Sequence, residues 1–142
     1  QLARWGIVPS ERVQTVRLNS PADVAELQRQ ADILFNPVSF LHRGHVQVRT
    51  LFPTKTIEYL AADRPMLVHG PGEAAFVRYA QVGGFAEVAT DDSSAALAAS
   101  LRAVAAEPAD ARRTARAEAL RRHDPETVAP QFLRTVFGDL PK

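Results

Sequence analysis

The chain has 142 residues, 46% hydrophobic and 23% charged, with a formal net charge of +1 and no cysteine. That length suits one domain with its own core and excludes a two-domain enzyme. The near-zero charge excludes capture of nucleic acid or an anionic membrane by bulk field, no run reaches the roughly 18 apolar residues of a membrane span, and a disulfide framework or thiolate zinc site is impossible. Fifteen of the 17 basic residues are Arg and 24 residues are Ala, the bias of a GC-rich genome. The start at Gln1, without the basic and apolar regions of a signal peptide, reads as a point inside a longer polypeptide.

Leu2 to Trp5 with Gly6 read as the last turn of a helix and its terminating glycine, closed off by Pro9. Val13 to Leu18, rich in β-branched residues, reads as a strand ending at Asn19. Ser20, Pro21 and Asp23 then supply N-cap, N1 and N3 of a helix whose inner face is Val24, Leu27 and Ala31. Ile33 to Asn36, continuously apolar and followed by Pro37, reads as a buried strand of a parallel sheet. Residues 38 to 51 form a loop of a length that is usually functional or disordered. A helix from Pro53 to Ala62 leads to a strand over Pro65 to His69, bounded by Gly70-Pro71-Gly72. Ala74 to Val82 is helical and closes on Gly83-Gly84, and Phe85 to Ala89 is a fourth strand. Asp91 or Asp92 caps a helix from Ser93 to Ala106 with Leu97, Leu101 and Val104 on one face. Two further helices open at Pro108 and at Asp124-Pro125, the last with a stripe of Val128, Phe132 and Val136.

Strands alternating with helices of this length predict a doubly wound parallel α/β sheet over residues 1–142, with C-terminal helices from about 108. Its ligands would bind at the carboxyl ends of the strands. On the helix from Pro53, Ile57, Leu60 and Ala61 share the face expected to pack on the sheet, with Lys55, Glu58, Tyr59 and Ala62 opposite. The free N–H groups of its first turn and Lys55 suit a phosphate, and Glu58, a turn on, suits two vicinal ribose hydroxyls. The plainer alternative is an exposed i,i+3 Lys55–Glu58 pair.

The stretch Phe52-Pro53-Thr54-Lys55-(x)2-Glu58-Tyr59-Leu60-Ala61-Ala62-(x)2-Pro65-Met66-Leu67-Val68-His69-Gly70-Pro71 resembles the C-terminal, donor-binding domain of GT-B glycosyltransferases, in the GT4-like, group 1 class. Ala31-Asp32-Ile33-Leu34-Phe35-Asn36-Pro37 resembles the strand that precedes this segment there, and the similarity runs in order through Ala106. The resemblance implies a Rossmann-like half of a GT-B fold, truncated at its N-terminus, that binds a nucleotide-sugar as substrate. It implies donor-binding roles for Pro53, Thr54, Lys55, Glu58, His69 and Gly70, with Glu58 on the ribose, Thr54 and Lys55 at the diphosphate, and His69 and Gly70 lining the cleft. It also implies a retaining hexosyl transfer without cofactor or obligatory metal. The acceptor domain would be an N-terminal part of the same protein, so that this piece alone does not turn over, in a cytoplasmic enzyme that touches the membrane peripherally.

Two positions depart from the family pattern. Thr50 stands eight residues before Glu58, where a carboxylate contacts the donor sugar, and Asp63 stands where glycine is usual, a helix end at which Asp tolerates the left-handed conformation. His42 and His45 flank Arg43 with no third ligand nearby, which argues against a metal. Arg112, Arg113, Arg116, Arg121 and Arg122 read as a solvated helix face, with an anionic membrane surface as the alternative. Trp5 reads as packing. Three rival functions remain open. A receiver domain lacks its acidic cluster at Asn36-Pro37 and His69-Gly70, a noncatalytic nucleotide-binding module agrees with Thr50, and a nucleotide-sugar isomerase needs acid–base residues that do not stand out.

Overall fold

The computed structural model of the chain describes residues 8, 10–42, 46–108 and 110–138. The readings at Leu2 to Trp5, Gly6 and Pro9, and at Arg43, Gly44 and His45 with the His42 side chain, lie outside the described residues.

Helix α1 (Pro21–Gln30) starts as its local chemistry dictates. The Ser20 hydroxyl accepts from the Asp23 N–H at 3.1 Å, the Asp23 carboxylate accepts from the Ser20 N–H at 3.0 Å, and Pro21 opens the first turn. Strands β1 (Leu34–Pro37), β2 (Met66–His69) and β3 (Glu87–Ala89) form a parallel sheet in the order β1-β2-β3. Leu34 pairs with Met66, and Val68 with Val88. Pro37, which has no N–H to donate, sits in an edge strand, where that loss is tolerated. Parallel neighbours need crossovers, and α3 (Lys55–Ala62) and α4 (Ala75–Gly83) supply them. Gly84 ends α4 at φ 63°, a conformation that favours glycine. Helices α5 (Ser94–Ala106), α6 (Arg113–Arg121) and α7 (Pro125–Phe137) follow β3.

Alternation along β2 divides the core. Met66 and Val68 pack with Leu60 of α3 and with Phe76, Val77 and Ala80 of α4, whereas Leu67 packs with Ala89 and with Val104 of α5. Helices therefore cover both faces of this α/β sheet. Each large side chain so buried contributes about 1.5 to 3 kcal/mol relative to exposure.

Several expectations are corrected. Val13 to Leu18 forms no strand. Its residues join no ladder, and Val13 and Val16 are 40% and 58% exposed, so neither of the two sources of strand stability is present. Because β1 pairs directly with β2, Val13 to Leu18 does not stand between them in the sheet either. Residues 38 to 51 are partly helical, with a 3-10 turn over Phe40–His42 and α2 over Val46–Thr50. The fourth strand shortens to Glu87–Ala89, and Ser93, rather than Asp91 or Asp92, caps α5 by accepting from the Ala96 N–H. Leu101 of α5 is 46% exposed and Leu27 of α1 44%, because α5 buries chiefly Val104 and α1 turns Val24, Ala25 and Gln28 inward. The α7 stripe of Val128, Phe132 and Val136 is exposed rather than packed.

The arginine cluster is solvated in part, with Arg113, Arg121 and Arg122 64%, 62% and 55% exposed, and in part a set of covered ion pairs, with Arg112 and Arg116 28% and 2% exposed. Arg112 bonds both oxygens of Glu107, at 3.2 and 2.9 Å through Nε, and reaches Glu87 at 3.1 Å. This bond holds the Glu107 carboxyl below its ordinary range. Arg116, only 2% exposed, donates to Asp63 at 2.8 Å, and Arg113 donates to the other Asp63 oxygen at 3.0 Å. Arg121 and Arg122 pair with Glu118. Asp63 and Glu118 each serve two of these guanidiniums, which lowers the net charge that the cluster would present to an anionic membrane. Among the described residues no helix is long and apolar enough to cross one.

Candidate functional site

Helix α3 carries the residues of interest, and its packing differs from a simple wheel. Thr56 and Leu60 are buried at i,i+4 with Tyr59 packed against the same core, whereas Ile57 is 42% exposed. The expected inner face of Ile57, Leu60 and Ala61 is thus rotated toward Thr56 and Tyr59. The helix begins at Lys55, two residues after Pro53, whose carbonyl accepts from the Thr56 N–H at 3.0 Å. Thr54 holds the N-cap place in a helical conformation and makes no side-chain cap bond. The first turn of α3 is therefore without a side-chain cap, the situation in which an anion is stabilised by backbone N–H groups and the helix dipole.

Lys55 and Glu58 open into one cavity of about 760 Å³ between α1 and α3. Its apolar wall comes from Leu18, Val24, Ala25 and Ala62, and Tyr59 stands beside Glu58. The Gln28 amide donates to a Glu58 carboxylate oxygen at 3.2 Å, which fixes the side chain and leaves its other oxygen available. The Tyr59 phenol is pushed up from its ordinary value, first by burial and then by the Glu58 charge, and so stays a neutral hydrogen-bonding group. Among the described residues Lys55 forms no ion pair with Glu58, so the exposed-pair alternative is not what the side chains do. Gln28 was missed from sequence, although its spacing of four from Val24 places both on one face of α1.

His69 and Gly70 occupy the carboxyl end of β2 and do not line this cavity. The His69 Nε2 lies 2.9 Å from the Asp91 carbonyl oxygen, which can only accept, so Nε2 carries the proton. Phe35 stacks on the His69 ring at 6.3 Å and Phe40 tilts against it at 4.9 Å. Gly70 is glycine for a steric reason, since a Cβ there would stand 2.6 Å from the Val38 Cβ. Thr50, at the place of the expected carboxylate, turns its hydroxyl back on its own helix, donating to the Val46 carbonyl at 3.2 Å or that of Gln47 at 3.3 Å.

A second cavity of about 430 Å³ is lined, among the described residues, by Val38, Ser39, Gln47, Val48, Thr50, Leu51 and Phe52. Phe52 is fixed by edge contacts to Phe76 at 5.6 Å and Tyr79 at 5.3 Å, and by His123 at 5.4 Å. The Tyr79 hydroxyl and the His123 Nε2 are joined by a hydrogen bond of 3.0 Å. Among the described residues two buried polar atoms lack a partner, the Asn36 Nδ2 in β1 and the Thr56 Oγ1 in the first turn of α3. No group of three or more potential metal ligands occurs among the described residues. No family model, curated protein or solved structure matches the chain.

Proposed function

We propose that the chain is the nucleotide-sugar-binding half of a GT-B type glycosyltransferase, moving a sugar from a nucleotide-sugar to an acceptor held by a separate domain. One observation carries the reading, namely that Lys55 and Glu58 share the α1–α3 cavity with Glu58 anchored by Gln28. In this reading the diphosphate lies against the first-turn N–H groups of α3 and the Lys55 ammonium, with Pro53 and Thr54 beside it, and the ribose diol lies on Glu58. Negative charge growing on the departing diphosphate is stabilised there without an obligatory metal. His69 and Gly70, outside the α1–α3 cavity, would line only a part of the donor cleft beyond it, at the end of β2. The transfer retains configuration, needs the acceptor domain and takes place in the cytoplasm, where nucleotide-sugars are at hand.

The same proposal extends the sheet past β1 into a doubly wound whole. Three parallel strands in sequential order are compatible with one βαβαβ half of such a sheet.

The test is the melting temperature of the intact protein with ADP, GDP, UDP, dTDP or CDP. At least one should raise it, and Glu58→Ala should remove that rise. If none does, the reading fails. A second reading, a noncatalytic nucleotide-binding module, is favoured by the Thr50 hydroxyl that bonds its own helix. Release of free sugar or its transfer by the intact protein separates the two.

A further inference from the structure

The two unpartnered polar atoms, the Asn36 Nδ2 and the Thr56 Oγ1, belong to residues that are 5% and 0% exposed. Leaving such a group unsatisfied is costly, and native proteins seldom do so. The backbone brings the two to one place. Asn36 pairs with Val68 and Leu34 with Met66, and parallel neighbours in register point to the same face of a sheet. Met66 and Val68 pack with Leu60 of α3, so Asn36 projects into the layer between the sheet and α3. Thr56 precedes Leu60 by one helical turn and is buried on the same side of α3. The end of α3 feeds the start of β2, so the helix runs against the strands and its first turn lies toward their carboxyl ends. Asn36 is the last residue but one of β1. Both groups thus occupy the carboxyl end of this layer, beneath the turn that bears Lys55.

A threonine hydroxyl on a helix commonly returns to the carbonyl four residues earlier. Thr50 and Thr135 do so, to Val46 and Gln131, whereas the Thr56 hydroxyl makes no such bond. Nor does it bond Asn36 directly. An amide and a hydroxyl so placed are joined by one water that accepts from Nδ2 and exchanges a hydrogen bond with Oγ1. We infer that Asn36 and Thr56 hold one buried water between β1 and the first turn of α3. This link sets the position of the Lys55 turn against a bound diphosphate, a role that rests on the proposed nucleotide-sugar reading. Neither residue lines the α1–α3 cavity, so both are positioning residues.

A melting-temperature cycle on the intact protein tests the link. Thr56→Val and Asn36→Leu are close in shape to the natural residues, and each alone leaves the other group short of a partner. Each should lower the melting temperature by roughly 3 to 9 °C. The double variant leaves neither group to satisfy, so it should melt no lower than the worse single variant. Losses that add would overturn the inference, because groups that share no partner act independently. A crystal structure of the unaltered protein decides the same point without substitution. One water bonded to both groups is expected, and separate partners for the two overturn the inference. Positioning is read by calorimetry with ADP, GDP, UDP, dTDP or CDP, whichever binds. The double variant should bind it about tenfold more weakly, the scale of one hydrogen bond to a charged group, with affinity for the bare nucleoside unchanged. Thr56→Ser keeps the hydroxyl and should bind as the natural protein does. Unchanged diphosphate affinity in the double variant would overturn the positioning role and leave the nucleotide-sugar reading intact. Failure of every diphosphate to bind would overturn both, while the melting cycle still decides whether the two groups are linked.

Discussion

Asp63 offers the sharpest test of what holds α3 in place, because two simple arguments about it disagree. It adopts φ 52° and ψ 39°, the left-handed conformation at the end of α3, so removal of its Cβ should relieve roughly 1 kcal/mol of strain. Its carboxylate, however, bonds Arg116 at 2.8 Å and Arg113 at 3.0 Å. The Arg116 bond joins a charge that is 2% exposed and is worth about 1.5 to 3 kcal/mol. The Arg113 bond, with that side chain 64% exposed, adds at most about 1 kcal/mol. Glycine also adds freedom to the unfolded chain, about 0.5 to 1 kcal/mol against the fold. The sum predicts that Asp63→Gly destabilises the protein by roughly 1 to 4 kcal/mol, although glycine is the residue that backbone geometry prefers. Asp63→Asn keeps an acceptor and tolerates the left-handed region, so it should lose less. Urea unfolding of the three proteins measures this through the midpoint at an unchanged slope. Glycine at least as stable as aspartate would refute the claim that the arginine ties outweigh backbone strain.

Other expectations follow from single groups. Glu58→Ala should weaken nucleoside diphosphate binding by about 1.5 to 3 kcal/mol in calorimetry, and an unchanged affinity would remove Glu58 from the site. Lys55→Gln should weaken diphosphate binding and leave nucleoside binding nearly intact; equal losses would make the lysine structural. Glu107 has an ordinary value of 4.5 and is held lower in the fold by Arg112, so its contribution to stability is fully present above that value and is lost as pH falls through the lowered one. Glu107→Gln should accordingly flatten the acid limb of a pH–melting profile, and an unaltered limb would count against the tie between α5 and α6. Gly70→Ala should destabilise by about 1 to 3 kcal/mol because its methyl meets Val38, with circular dichroism melting as the check.

The parts of the fold legible in sequence were those that local chemistry determines. Ser20-Pro21-Asp23 specify a capping box over three residues, and Gly83-Gly84 specify a helix end within one turn. The strands at Leu34 and Met66 were legible because continuous apolar runs bounded by proline and glycine have few other uses. Val13 to Leu18 reads equally well as a strand, yet strand formation depends on a neighbour, and no property of those six residues states whether one is present. The inward turn of Tyr59 was hidden for a related reason. Its phenol can face the α1–α3 cavity while its ring joins the core, and a wheel that sorts residues as polar or apolar cannot divide a side chain in two.

The arginine network shows how such a reading errs in the other direction. Arg112 and Arg116 look like part of a solvated face when each is taken with its sequence neighbours, because Glu87 and Asp63 are remote and Glu107 unremarkable in the chain. In the fold, α6 packs against α3 and brings Arg116 and Arg113 onto the one left-handed aspartate at the end of that helix. The eight residues of α3 span only about 12 Å at the ordinary helical rise, so this tie lies about two turns from Lys55. At the opposite end, Phe52 is held by Phe76, Tyr79 and His123. The helix that bears Lys55 and Glu58 is therefore fastened at both ends by groups that touch no part of the cavity. Loss of either fastening should weaken ligand binding only as far as it unfolds or displaces α3, whereas loss of Glu58 should weaken binding with the melting temperature of the unliganded protein unchanged. That contrast separates positioning from recognition without any knowledge of the ligand.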